Sequence, residues 1–415
     1  MVPNFWNQIR TEDLSMTTTI DSPVTVHRGT VPFSVGLISV LAMMIGASAP
    51  SPFYPVLQQE LGFSSATMTA IFAVYAIALL AMLLVAGSLS DHLGRRPVVS
   101  AGFVLLAASM VVFWHADSVS MLITARVIQG VASALLLSAL SALVVDLEPT
   151  NRPGAAATFN SVSPMAGLAL GALFGGAVLD AASAPLVAVF GTLTAVYVVL
   201  AAAVWLLPET SARREGVLQS LKPRVGIPLP ARSAFLRSTP ALIAGWATGG
   251  LYLSLGAPIV AQELGGTDHL EQGLVVTVLT GFGALACYVA RGASPRAITI
   301  YGTTALAVGT GLTLGALDAG SLWGFLAAAV IAGTGFGAGF LGIMRSITPL
   351  VGPHERGELF AAVFVVSYLA FGIPVVIAGI AAPHIGLATT TYLYGGVVAL
   401  LSTVAAVLRT YASKD

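Results

Sequence analysis

The chain has 415 residues, 56% of them hydrophobic and only 9% charged, against about 25% charged in an ordinary soluble domain. So few charges cannot cover a soluble protein of this length, and eighteen basic residues balanced by eighteen acidic ones give no reason to expect a nucleic-acid partner. The lone cysteine, Cys287, excludes a disulfide framework, an iron–sulfur cluster and a thiolate metal site.

Residues 1–30 are polar and unpatterned and read as a disordered cytoplasmic tail, in which Met16 opens a Thr-rich stretch and competes with Met1 as the start. No basic region leads into a short apolar core, so no cleavable signal peptide is expected. A membrane helix needs roughly 20 mostly apolar residues. Twelve segments meet that need, at 31–55, 64–89, 96–114, 119–145, 154–179, 185–207, 238–261, 272–290, 296–316, 321–348, 357–382 and 386–409. Between the sixth and seventh, residues 208–237 carry Pro208, Pro223, Pro228, Pro230 and six basic residues, as a cytoplasmic linker would. The predicted fold is all-α and membrane-spanning: a six-helix bundle over 31–207, a second over 238–410, and a short cytoplasmic tail at 411–415.

The charges sort by side. Loops after even-numbered segments hold Arg95, Arg96, Arg152, Arg213, Arg214, Lys222, Arg224, Arg232, Arg237, Arg291, Arg296 and Arg356. Loops after odd-numbered segments hold no Lys or Arg, but Glu60, Asp117, Asp180, Glu263, Asp268, Glu271 and Asp318. By the positive-inside rule both termini are cytoplasmic. Pro149-Thr150-Asn151-Arg152 after the fourth segment and Pro353-His354-Glu355-Arg356 after the tenth are a weak internal repeat, as two related halves would leave.

Three clusters carry possible mechanism. The first is Gly87-Ser88-Leu89-Ser90-Asp91-His92-Leu93-Gly94-Arg95-Arg96, which joins the second segment to a two-arginine turn. Asp91 sits at a helix C-terminus, where a carboxylate opposes the helix dipole and needs a partner. Gly87 offers close helix approach, and Gly94 a positive φ. The second is Arg126, with Gln129, Gly130 and Ser133, in the outer third of the fourth segment. A cation there costs roughly 2.5–3.5 kcal/mol to insert, so it should face a wet cavity or a partner, unless it snorkels outward. The third is Gly167, Gly171, Gly175 and Gly176, whose spacing suits close helix packing. The Pro50-Ser51-Pro52 run must kink or unwind the first helix. Asn160, Trp246, Tyr252 and Tyr368 are candidate cavity residues, although ordinary packing is the more common role for each such residue.

The Gly87–Arg96 stretch resembles motif A of the major facilitator superfamily, with His92 where a basic residue is usual. Arg126-Val127-Ile128-Gln129-Gly130 resembles motif B, found mostly in proton-coupled members. Gly171-Ala172-Leu173-Phe174-Gly175-Gly176 resembles the motif C of antiporter-type exporters, with Ala172 in place of proline. The resemblance implies twelve helices in two pseudo-symmetric bundles in the bacterial inner membrane. It also implies that Asp91 latches onto the N-terminus of helix 11, near Glu355–Glu358, when the cavity faces outward. The implied function is proton-coupled efflux of a drug-like or amphipathic solute by a functional monomer. The alternatives are an importer or uniporter of a neutral or anionic metabolite, or a non-transporting membrane sensor. No Asp or Glu lies deep in any segment, so no proton carrier is visible. No clustered ligands at membrane depth suggest an enzyme, and no phosphate-binding Gly-x-x-x-x-Gly-Lys loop suggests an ATP-driven pump. The expected partners are lipid, a small-molecule substrate and protons, with no cofactor.

Overall fold

A computed structural model describes residues 29–352 and 354–411. The tails expected at 1–30 and 411–415 fall almost wholly outside these residues. Fifteen α-helices follow in chain order: α1 (Thr30–Ser48), α2 (Tyr54–Leu61), α3 (Ser65–Ala86), α4 (Leu89–Leu93), α5 (Arg95–Trp114), α6 (Val119–Asp146), α7 (Ala155–Ala181), α8 (Thr192–Ala203), α9 (Val217–Ser220), α10 (Leu229–Glu263), α11 (His269–Val289), α12 (Pro295–Asp318), α13 (Leu322–Ile347), α14 (Arg356–Ile385) and α15 (Leu387–Tyr411). Twelve spans among the described residues are long and apolar enough to cross a membrane, α1 and α2 together forming the first.

The packing repeats itself across the two halves. In the first, α1 packs on α7, α3 on α6, and α5 on both α6 and α8. In the second, α10 packs on α14, α11 on α13, and α12 on both α13 and α15. These are the same four pairings shifted by six spans. The halves meet along two seams, α7 with α11 and α14 with α3, which the same shift exchanges. An approximate two-fold between bundles of related pattern follows from this list.

Where the chain breaks, the cause is local chemistry. Pro50 has no N–H, and the helix gives way there to a 3-10 turn, Ser51–Phe53, before α2 resumes. One boundary differs from the sequence reading. The seventh span begins at Leu229, not 238, inside the stretch read as linker. Pro230 lies in its first turn, where a missing N–H costs nothing, and Pro240 is carried inside the helix. Prolines that looked like punctuation are thus helix contents.

The α12–α13 contact is the closest in the second half. A side chain at Gly309 would overlap the backbone of Ala332, whereas Gly311, two residues on, faces open space. Gly309→Val is expected to destabilise by about 1–3 kcal/mol through overpacking, read as a lower unfolding midpoint in detergent. Gly311→Ala should leave the midpoint unchanged or raise it slightly.

Candidate functional site

The turn at the arginine-rich end is a closed polar network between the first half and the start of the linker. Asp91, in the short helix α4, pairs with Arg95 Nη1 at 2.5 Å. The same nitrogen donates to Ser90 Oγ at 2.5 Å, and Arg95 Nε reaches Asp146, the last residue of α6, at 3.4 Å. Gly94 has φ +105°, a value L side chains rarely adopt, and sets the angle between α4 and α5. The N-terminus of α5 is capped from far away in sequence. Glu209 Oε1 accepts from Arg95 N at 2.8 Å, and Oε2 from Arg96 N at 3.2 Å, a carboxylate at the positive end of the helix dipole. Thr210 Oγ1 donates to Asp146 at 2.7 Å, and Ser211 Oγ and Arg214 N both donate to the Asp91 carbonyl.

Among the described residues Asp91 pairs with Arg95 and not with the α14 N-terminus, a contact expected only when the cavity faces outward. The first turn of α14 already holds a carboxylate of its own, Glu358, with Glu355 at its N-cap. Gly87 makes no close helix contact either: the atoms nearest a Cβ there belong to Leu83, one turn earlier in its own helix. Arg96 is not in the network through its side chain, which stacks over Trp205 and donates to the Trp205 carbonyl at 3.2 Å.

Arg126 is fully buried, at 0% exposure, and neither snorkels nor lines water. Its surroundings are neutral. Nε donates to the Tyr54 hydroxyl, and Nη1 to Gln129 Oε1 at 2.6 Å and toward the Ala47 carbonyl at 3.5 Å. Rings of Tyr54, Phe72, Tyr75 and Phe113 present themselves 5.2, 5.9, 5.5 and 5.3 Å from the guanidinium carbon. Each such contact contributes about 0.5–2 kcal/mol when desolvated. No carboxylate pairs with it among the described residues, and Nη2 has no hydrogen-bond partner. Gln129 Nε2 donates in turn to the Gly46 carbonyl at 2.7 Å. Gly46 is four residues before Pro50, so its carbonyl is the one the missing proline N–H would have served. Arg126 and Gln129 therefore clamp the break in the first span, satisfying backbone groups that lipid could not. Gly130 lets α6 approach α3 closely, meeting the Tyr75 carbonyl, and Ser133 is buried one turn further on.

The glycines of α7 serve two different neighbours. Side chains at Gly167, Gly171 and Gly175 would strike the carbonyls of Leu41, Ile45 and Ala49 on the first span. Gly176 instead meets His269 and Leu270 of α11, across the seam between the halves. Close beside it, Asp180 accepts from His269 N at 3.1 Å, His269 Nδ1 at 2.8 Å and Leu270 N at 2.8 Å. This carboxylate at the C-terminus of α7 thus caps the N-terminus of α11 at the acidic-loop end. Thr277 Oγ1 to the Ala169 carbonyl, 3.1 Å, continues the seam inward. On the other seam Thr69 packs against Gly379, and Phe72 against Phe371 with ring centroids 5.0 Å apart.

Of the candidate cavity residues, Trp246 and Tyr368 come together, 4.9 Å between centroids, with Phe340, Phe364 and Phe371 around them. Trp246, Phe340 and Phe364 remain half-buried. The cluster lies on the arginine-rich side of the Phe72–Phe371 contact. Tyr252 stands apart, stacked on Phe325. Asn160 ties α7 to the Ser141 carbonyl of α6 at 3.1 Å.

This arrangement, twelve spans in two bundles with a charged turn after the second, can be compared with known proteins. A family model described as Major Facilitator Superfamily matches residues 36–315. The chain belongs to that superfamily. Its twelve spans among the described residues are long and apolar enough to cross a membrane. "Quinolone resistance protein NorA" of Staphylococcus aureus is 23% identical over 138 residues, 33% of this chain and 36% of that protein. "Putative multidrug resistance protein MdtD" of Klebsiella pneumoniae is 30% identical over 129 residues, 31% of this chain and 27% of that protein. The matched region thus spans about a third of the length of these relatives.

The clamp has a direct test. Gln129→Leu leaves the Gly46 carbonyl buried without a donor and is expected to cost about 1–3 kcal/mol. Pro50→Ala restores a backbone N–H aimed at that carbonyl, since residue 50 already has helical φ and ψ of −70° and −16°. Thermal unfolding of both single variants and the double variant should show that Pro50→Ala recovers part of the loss. Strictly additive effects would mean that the two residues do not share the carbonyl.

Proposed function

We propose that this superfamily member exports amphipathic organic compounds from the cytoplasm in exchange for protons. The observation that carries the reading is the aromatic cluster in which half-buried Trp246, Phe340 and Phe364 surround buried Tyr368. It offers flat, apolar surface with no ionised side chain, on the side of the inter-half contacts that the arginines mark as cytoplasmic. Such a surface suits an aromatic or amphipathic solute entering from inside. The names of the two relatives, a quinolone and a multidrug resistance protein, point the same way.

In this reading the halves rock about the two seams. The present contacts hold the acidic-loop end shut, through Asp180 on the α11 N-terminus and Thr69 on Gly379. The Asp91 network is then at rest within the first half, and its carboxylate is released to the second half only when the arginine-rich end closes. Arg126 ties the broken first span to α6, so any movement of that span is felt by a buried charge that has one unpartnered nitrogen. Proton exchange in the Asp91, Asp146 and Asp180 groups, the carboxylates nearest the moving parts, would supply the coupling.

A second reading has its own observation. The unpartnered Nη2 of Arg126 would suit a carboxylate, which favours import of a small anionic metabolite. Proteoliposomes separate the two. Under a pH gradient, acid inside, export predicts uphill accumulation of a fluorescent amphipathic dye or a quinolone into inside-out vesicles. Arg126→Gln is expected to abolish gradient-driven uptake yet keep downhill exchange. Asp180→Ala should slow transport several-fold, with His269→Ala milder because the two backbone amide bonds remain. Wild-type rates for Arg126→Gln in both assays would remove Arg126 from the mechanism. Uptake of small organic anions but of no dye into right-side-out vesicles would favour import.

A further inference from the structure

At the arginine-rich end of the second half, α10, α12 and α15 leave a small groove whose lining includes Arg237, Thr299, Leu408 and Arg409. Arg409 Nη2 donates to Ser346 Oγ at 2.8 Å, but its Nε is buried without a hydrogen-bond partner. Arg296 reaches the carbonyl of the next residue, Thr410, at 3.4 Å. The charges of Arg237 and Arg296 both bear on Arg409. The ion pairs among the described residues all lie elsewhere, at Asp91, Asp146 and Asp180. Three guanidinia therefore converge with no carboxylate paired to any of them among the described residues. Like charges packed this way repel, and an anion bridging them relieves the repulsion. A guanidinium with a free Nε offers the fork that phosphate oxygens accept from.

The neighbouring surface decides which phosphate. Leu408, Val404 and Leu400 are 39%, 39% and 63% exposed. Their spacing of four puts them in one apolar stripe that runs from the groove up α15 into the membrane region. A free anion has no use for that stripe; an acyl chain does. We propose that this groove binds the phosphate of an anionic phospholipid of the facing leaflet, with its acyl chain lying along α15. The hydroxyls of Ser238 and Thr299 already donate to the carbonyls of Ala234 and Pro295. The site therefore reads charge through the arginines and is indifferent to headgroup hydroxyls. This inference concerns binding alone and does not rest on what is transported.

The test uses the full chain in neutral detergent, titrated with dioleoylphosphatidylglycerol, dioleoylphosphatidylcholine or inorganic phosphate. Bound lipid is counted by native mass spectrometry and stability followed by thermal unfolding. Phosphatidylglycerol should be retained and raise the midpoint, and phosphatidylcholine should not. Arg237→Gln and Arg409→Gln should each weaken phosphatidylglycerol binding about fivefold, the equivalent of about 1 kcal/mol per basic residue near a membrane surface. Arg237 is exposed, so its variant keeps the fold even if Arg409→Gln does not. Arg152→Gln, at the same end of the first half, should leave binding unchanged. Four results overturn the proposal: equal retention of both lipids; unchanged binding in Arg237→Gln; full competition by inorganic phosphate at lipid concentrations; or lipid binding only after residues 412–415, with their Lys414 and Asp415, are removed.

Discussion

A positive charge buried in a helical bundle, with no counter-charge among the described residues, organises the first half of this chain. Arg126 is held by a tyrosine hydroxyl, a glutamine, a backbone carbonyl and four aromatic faces. Each is worth little alone, and together they offset an insertion cost of roughly 2.5–3.5 kcal/mol. The same side chains solve a second problem. Pro50 breaks the first span, and a free carbonyl at membrane depth is costly unless a neighbour serves it. Gln129 serves it. Charge burial and helix breakage, each unfavourable by itself, are thereby made to stabilise one another, and the first span is fastened to α6 at its weakest point.

The seams between the halves follow from that fastening. With the first span fixed, α7 packs against it through Gly167, Gly171 and Gly175, and the opposite side of α7 is left for α11. The direct hydrogen bonds between halves, among the described residues, lie on this α7–α11 seam and are densest at Asp180. At the other end the Asp91 network closes on itself within the first half and the start of the linker. Each end carries a carboxylate beside a helix terminus that must find backbone N–H groups or a cation. They differ in which half supplies the partner. An alternating-access cycle requires that kind of asymmetry, because a contact can gate only if it crosses the boundary that opens.

Much of the architecture was legible in the sequence because membrane burial leaves a coarse signal. Twelve apolar runs and a one-sided arginine pattern gave the spans, and Arg126 stood out because a cation at that depth is rare. The errors have physical causes. Pro230 looked like a helix stop but sits in a first turn, where proline fits. Arg126 was read as needing a wet cavity or a partner, and the partners are a hydroxyl, an amide and four aromatic rings that no local pattern reveals. Glu209 was missed because the α5 amides it caps lie 114 residues back along the chain. The signal for Asp180 was available: the argument that an acid at a helix C-terminus needs a partner was applied to Asp91 and fits Asp180 equally well. Which helix supplies the partner is a tertiary fact that no local pattern carries.

The central claim is that the halves are joined at the acidic-loop end and part at the arginine-rich end, exchanging these states in transport. The most direct measurement is a pair of spin-label distances in nanodiscs on a Cys287→Ala background. One pair, at positions 117 and 319, spans the acidic-loop end, and the other, at 151 and 292, spans the arginine-rich end. The account predicts a short, narrow distance for the first pair and a long one for the second without substrate. Both should shift in opposite directions when substrate or a change of pH drives the cycle. Two distances that stay fixed, or that lengthen together, would contradict it.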